Sequence, residues 1–258
     1  MKRPLITTVV FDLDDTLYDC HRQRVLAAHR HAARALLHAG LNLPDRQAGR
    51  RARRKLSPAR LVRLRLRLFR EERNLETLDA RLLARLGLRG GAAARLARAG
   101  NRAYFSYPVR KLRLFADTRP TLRRLHRGGV RIYVLTAGLL RIQRAKVRVL
   151  GLDRREEIER VFFTGKLQGR GKVAFLRRVL RAEPDPRRVL VVGDRADSEI
   201  RAARALRMWT VRRLGGEFVR YHPRDPGERP HHNIRRLGGL FRLGFRFGTE
   251  DGTTDEHR

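Results

Sequence analysis

Five short runs, at 5–12, 130–136, 160–164, 188–193 and 208–213, are rich in Val, Ile, Leu and Phe, bounded by Gly, Asp or Thr, and several carry neighbouring apolar residues instead of alternate ones. A strand that is apolar on both faces has to be covered on both, which confines it to a parallel sheet with helices packed above and below. Helical stretches lie where such a sheet needs them: 118–127 after Asp117, a plausible cap, 139–149 after Gly138, 172–182 after Gly171, and 197–206 after Gly193-Asp194. The expectation is a doubly wound α/β fold. A chain of 258 residues, 41% hydrophobic, can bury a core without metal or disulfide staples. The single cysteine, Cys20, excludes an internal disulfide framework and fits a reducing compartment.

The first two of these runs are separated by a segment of a different texture. Residues 18–113 are rich in leucine and alanine at helical spacing, as in Val25, Ala28, Ala32 and Leu36 before a stop at Gly40. Ser57-Pro58 reads as an N-cap and first-turn proline opening a helix over 58–73. The run Val62-Arg63-Leu64-Arg65-Leu66-Arg67-Leu68 also alternates with period two, and the cap and helical neighbours favour helix. The expected organisation is an α/β core of 1–17 and 114–240, a helical insertion at 18–113 and a C-terminal tail at 241–258. His231-His232 are expected in a surface loop and Trp209 in the last strand.

The charge is extreme, with 61 Lys+Arg against 26 Asp+Glu and a formal net charge of +35. Such a field attracts polyanions, so non-specific association with nucleic acid is expected. Lysine, however, occurs only at 2, 55, 111, 146, 166 and 172; the remaining basic residues are arginines spread over nearly every segment. Either residue neutralises a phosphate, so this pattern reads as a compositional bias, and an arginine-rich nucleic-acid-binding protein is the non-enzymatic alternative. Apolar runs such as Val9-Val10-Phe11 are far too short to span a bilayer, and carboxylates at Asp12, Asp14, Asp15 and Asp19 interrupt the basic start. No membrane partner and a cytoplasmic location are therefore expected; the oligomeric state is left open.

Four strand ends carry chemistry. Val9-Val10-Phe11-Asp12-Leu13-Asp14-Asp15-Thr16 is an apolar strand ending in clustered carboxylates, whose repulsion a bound cation would relieve. In an open parallel sheet the carboxyl ends of the strands are where ligands bind. Tyr133-Val134-Leu135-Thr136-Ala137-Gly138 ends in a hydroxyl and a flexible turn whose N–H groups can hold a phosphate oxygen. Gly169-Arg170-Gly171-Lys172 sets an ammonium at a helix start, with Lys166 a competing candidate. Val189-Leu190-Val191-Val192-Gly193-Asp194 is again an apolar strand ending in a carboxylate, followed by Asp197 and Glu199.

Together these residues resemble the four motifs of the haloacid dehalogenase-like hydrolase superfamily, and the resemblance runs from about 5 to 240. Asp12-Leu13-Asp14-Asp15-Thr16 is similar to its DxDxT signature, Thr136 to its second motif, Lys172 to its third and Gly193-Asp194 to its fourth. Gln143-Arg144-Ala145-Lys146-Val147 and Leu150-Gly151-Leu152 are similar to the helix and turn that follow motif two in cap-bearing members, and an insertion at 18–113 matches the helical C1 cap of subfamily I. The resemblance implies an Mg²⁺-dependent phosphomonoesterase acting on a small phosphorylated metabolite. Asp12 would be the nucleophile, Asp14 the general acid and base, and Thr136 and Lys172 catalytic holders of phosphate. Thr16, Ala137 and Gly138 would also bind phosphate. The metal would be held by Asp12, Asp14 through its carbonyl, and Asp194, with either Asp197 or Glu199 behind them. In capped members, specificity is set by cap side chains that close over the leaving group.

This chain departs from the pattern in having Ala137 where Asn is frequent, Val173 where Pro often follows the lysine, and Ser198 and Glu199 where a second aspartate usually stands. A haloacid dehalogenase and a phosphomutase of the same fold are the chemical alternatives. Dehalogenases of the family lack the acid two residues after the nucleophile, so Asp14 points to phosphate.

Overall fold

The computed structural model describes residues 3–41, 43–44, 53–54, 56–165 and 170–249. In chain order, β1 (Leu5–Ile6) and β2 (Thr8–Asp12) come first. They precede α1 (Leu26–His38), β3 (Leu43–Pro44), β4 (Arg53–Arg54), α2 (Pro58–Glu72), α3 (Leu78–Arg85) and α4 (Gly90–Ser106). Next come α5 (Thr118–Arg127), β5 (Arg131–Thr136), α6 (Leu140–Val149), β6 (Arg160–Phe163), α7 (Arg170–Ala182) and β7 (Val189–Gly193). The chain ends with α8 (Arg201–Ala205), β8 (Trp209–Arg213), β9 (His232–Ile234) and β10 (Arg246–Phe247). It divides into two compact units, Met1–His21 with Val109–Arg258, and Arg22–Pro108, so the divisions fall a few residues from the expected 17/18 and 113/114.

The first unit holds a six-stranded sheet of order β6-β5-β2-β7-β8-β9 in which every pair is parallel. β2 is central and buried along its whole length, which accounts for its unbroken apolar run. Val10, Tyr133 and Val191 stand in register across three strands and pack against Leu176 and Val179 of α7 and Ala202 and Ala203 of α8. Helices α5 and α6 bury Leu122, Leu125, Ile142 and Val147.

Several expectations require correction. The run 5–12 is two strands, because Thr7 turns aside to donate its N–H to the Arg188 carbonyl at 3.1 Å. The expected tail at 241–258 contains β10, which pairs with β1, while 250–258 lie outside the described residues. The helix expected at 197–206 is a π-helical turn, Ala196–Ile200, running into the short α8. Asp117 does not cap α5: its backbone is already helical, and its carboxylate accepts from the Gly238 N–H at 3.2 Å. Trp209 lies in β8, not in the last strand, since β9 adds a further edge. His232 belongs to β9, and His231 Nδ1 accepts from the Thr210 N–H at 3.0 Å. Burial, with Arg204 and His232 beside it, pushes the His231 pKa down from 6.5 to about 4.

The second unit is helical apart from the short antiparallel pair β3–β4. Ser57 Oγ caps α2 by accepting from the Arg60 N–H at 3.2 Å, and Leu61, Arg65 and Leu68 form its buried stripe, which settles the ambiguous run as helix. Arg65 is 1% exposed, ion-paired with the equally buried Asp79 of α3, and donates from Nε to His29 Nδ1 at 3.4 Å. Around this pair pack Leu36, Leu61, Leu68, Leu78 and Leu83. Among the described residues no helix is long and apolar enough to cross a membrane.

Two outcomes follow. Removing one partner of a buried ion pair strands the other charge, so Asp79→Asn is expected to cost about 3–5 kcal/mol, and the apolar double replacement Arg65→Met with Asp79→Leu far less; urea unfolding measures both. Because the folded pKa of His231 lies below 6.5, its contribution is intact above pH 6.5 and is lost as pH falls towards 4. Thermal midpoints across that interval should fall further for wild type than for His231→Asn, whose amide oxygen can take the place of Nδ1.

Candidate active site

Because β5, β2 and β7 are adjacent and parallel, their carboxyl ends open on one edge of the sheet. There β2 delivers Asp12, β5 delivers Thr136, and β7 ends at Gly193 with Asp194 next. Lys172, in the first turn of α7, reaches the same edge: its Nζ lies 2.8 Å from Asp12 Oδ1 and 2.6 Å from Glu199 Oε2. All four ionised groups, Asp12, Lys172, Asp194 and Glu199, are less than 9% exposed. One oxygen each of Asp12, Asp194 and Glu199 falls within 4.8 Å of the others.

Three carboxylates and one ammonium in a buried space leave an excess of negative charge. Burial, offset in part by Lys172 and reinforced by Glu199, raises the Asp12 pKa to about 7. Burial and then Glu199, Asp15 and Asp12 push Asp194 well above the carboxylate range. Glu199 goes the other way: burial opposes its charge, but Lys172 and the Arg195 N–H, 2.6 Å from Oε1, hold its pKa down. An oxygen-only cluster with surplus negative charge fits a hard divalent cation such as Mg²⁺.

Glu199, not Asp197, joins this cluster. The π-helical turn carries Glu199 inward, where it is 1% exposed, and Asp197 pairs with the Arg195 guanidinium at 3.2 Å. Gly193 is required by that approach, because a Cβ there would collide with the Glu199 side chain.

Asp14 sits in a second polar group. Tyr18 OH donates to its Oδ1 at 2.8 Å; Lys146 Nζ at 2.6 Å and Gln143 Nε2 at 3.1 Å donate to its Oδ2. Burial alone would raise the Asp14 pKa, but the Lys146 charge and these three bonds hold it below the usual carboxylate value. Lys146 and Gln143 lie one turn apart on the buried face of α6. The sequence marks them only through their resemblance to a helix after motif two, with no role attached.

Some expected phosphate ligands are placed otherwise. The Gly138 N–H already donates to the Gly165 carbonyl at 2.9 Å, so it is not free for an anion; Ala137 is exposed beside it. Thr16 is fully buried, and its hydroxyl has no hydrogen-bond partner among the described residues. Lys166 and Gly169 lie outside the described residues.

Two consecutive arginines at the end of β8, neither singled out by the sequence, brace the acidic loops. Arg212 donates to the carbonyls of Asp194, Tyr221 and Phe218 at 2.9, 2.8 and 2.6 Å. Arg213 donates to the carbonyl of Asp15 at 2.8 Å and stacks on Phe115 with its guanidinium carbon 3.7 Å from the ring centre. Asp15 has a left-handed backbone, φ 56°, and its carboxylate accepts from the N–H groups of His21 and Glu217 at 2.9 and 3.3 Å.

A family model described as haloacid dehalogenase-like hydrolase matches residues 6–207. A glyceraldehyde 3-phosphate phosphatase of Methanopyrus kandleri is 30% identical over 241 residues, covering 90% of this chain and 94% of the relative. A phosphatase of the same name from Methanocaldococcus jannaschii is 28% identical over 230 residues, covering 83% and 87%. Among solved structures, YfnB of Bacillus subtilis, described as a HAD-hydrolase and bound to magnesium, is similar with a TM-score of 0.59 at 20% identity, over 92% of this chain and 98% of that one. A Haemophilus somnus protein described as a predicted phosphoglycolate phosphatase gives 0.61 at 17% identity, over 92% and 97%. These structural likenesses concern the fold.

Burial and the carboxylates around it oppose the ionisation of Asp194, which makes the metal-free site a source of instability. Asp194→Asn is expected to raise the thermal midpoint in EDTA by about 2–4 °C, an effect of roughly 1 kcal/mol. The same substitution should remove the further rise that Mg²⁺ gives the wild type, and calorimetry in both buffers measures the two effects.

Proposed function

The chain belongs to the haloacid dehalogenase-like hydrolases, and we propose that within this family it is an Mg²⁺-dependent phosphomonoesterase acting through an aspartyl-phosphate on a small phosphorylated metabolite. The observation that carries this reading is Asp14. Its carboxyl lies two residues beyond Asp12, and expulsion of an alcohol oxygen needs an acid there where expulsion of a halide does not; the bonds from Tyr18, Gln143 and Lys146 favour its ionised form, the form that takes a proton from water in the second step.

Asp12, on the central strand, is the nucleophile: its oxygen attacks phosphorus in line with the leaving oxygen, and the phosphorus–oxygen bond to the substrate breaks. Asp14 protonates that leaving oxygen, then takes a proton from the water that hydrolyses the acyl phosphate and regenerates Asp12. The Thr136 hydroxyl and the Lys172 ammonium hold equatorial phosphate oxygens, with the Ala137 N–H beside them. Glu199 and Asp12 hold Lys172 between them, so the ammonium stays fixed while charge on the phosphate is redistributed. Asp12, Asp194 and the Asp14 carbonyl would hold Mg²⁺, which when bound supplies positive charge that offsets the repulsion between carboxylate and phosphate.

The name shared by the two phosphatase relatives puts glyceraldehyde 3-phosphate at the head of the substrates to test. The net charge of +35 would draw any such dianion toward the protein.

Phosphate release from glyceraldehyde 3-phosphate, phosphoglycolate, hexose phosphates and nucleotides, with Mg²⁺ or EDTA, tests the proposal. Release is expected with Mg²⁺ alone, and Asp12→Asn should lower it by at least about 10⁴-fold while keeping the thermal midpoint within a few degrees. Metal-dependent turnover that survives Asp12→Asn would sink the mechanism.

A further inference from the structure

Gln143 enters the chemistry described above only through Asp14, yet it is 3% exposed and its amide touches three groups of the site. The nitrogen Nε2 lies 3.1 Å from Asp14 Oδ2, 3.0 Å from the Ala137 carbonyl and 2.5 Å from Thr136 Oγ1. A carboxylate and a carbonyl can only accept, so the atom between them has to be the amide nitrogen; an oxygen there would face two acceptors. Both of its hydrogens are directed into this cluster of acceptors, and an amide nitrogen has no lone pair with which to accept in return.

The consequence falls on Thr136. Its hydroxyl is 1% exposed and receives Gln143, so its own hydrogen cannot point at Gln143, and no acceptor for it is found among the described residues. That hydrogen is left for an acceptor brought into the site. Gly138 helps to fix this geometry: its φ of 133° is poorly tolerated by residues with a side chain, and a Cβ there would sit 3.5 Å from Cγ and Cδ of Gln143. Ala137 carries no side-chain amide, and Gln143 brings one to the same turn from α6.

We propose that Gln143 is a positioning residue that sets the Thr136 hydroxyl as a donor to the substrate's phosphoryl oxygen. The inference rests on the phosphatase reading for the identity of that acceptor. Gln143 touches no substrate; it acts by denying the hydroxyl any other orientation while tying Asp14 and Ala137 to Thr136.

A double-mutant cycle tests it, with Gln143→Met removing the donor at similar length and Thr136→Val removing the hydroxyl. Two readouts are taken on the full chain with Mg²⁺: kcat and KM for phosphate release, and equilibrium affinity for inorganic phosphate by calorimetry. Gln143→Met alone is expected to lower kcat/KM and phosphate affinity by about tenfold. In the Thr136→Val background it should change either by less than about twofold. Thr136→Ser, which keeps the hydroxyl, should restore the dependence on Gln143. An equal loss in both backgrounds would overturn the proposal, since Gln143 would then act through packing or Asp14 alone, and so would an unchanged Gln143→Met. If Gln143→Met does not fold, Gln143→Asn, which withdraws the amide by one carbon, completes the same cycle. Absence of turnover in the wild type would count against the phosphatase, and the phosphate-affinity cycle would still decide the role of Gln143.

Discussion

The Lys172 ammonium, clasped between Asp12 and Glu199 at 2.8 and 2.6 Å, is the interaction around which the site is arranged. Without it, three carboxylates from three segments would share a space nearly free of water, where repulsion is weakly screened. Its position needs α7 to begin at the edge of the sheet, Glu199 to be turned inward by a π-helical turn, and residue 193 to have no side chain. One cation does not neutralise the cluster, and the raised pKa values of Asp12 and Asp194 are the remainder. A site short of positive charge is suited to take up a divalent cation.

Arginine serves inside the molecule as well as on its surface. Arg24, Arg65, Arg212 and Arg213 are each less than 9% exposed. Arg212 finds three carbonyls, Arg213 a carbonyl and an aromatic face, Arg65 a carboxylate and an imidazole. A flat guanidinium with five donors can meet these obligations where an ammonium could not. A chain biased towards arginine has thus placed several where their geometry is used, and the high net charge by itself says little about partners.

The residues that could be read from the sequence are those whose signal is local. A buried strand that stops at Asp12, Thr136 or Gly193-Asp194 declares itself by the change from apolar to polar, and the order of the elements gives the fold class. What escaped depends on residues far apart in the chain. Gln143 meets Asp14 across 129 positions and Arg213 meets Asp15 across 198, so no periodicity records either contact. The choice between Asp197 and Glu199 turned on a π-helical turn, which shifts the phase by a fraction of a residue. The Gly138 N–H reads as free for an anion in the sequence because its acceptor, Gly165, follows another strand. β9 and β10, of three and two residues, are too short to carry a pattern.

The placement of β2 also bears on how the chain is made. It lies in the middle of the sheet, yet its partners β5 and β7 begin at 131 and 189, and β1 pairs with β10 at 246. During synthesis β2 therefore precedes both of its partner strands, whereas the helical unit 22–108 has a hydrophobic core of its own. Charges at the end of an apolar strand oppose edge-to-edge pairing, so Asp12, Asp14 and Asp15 would limit self-association of β2 until its partners arrive.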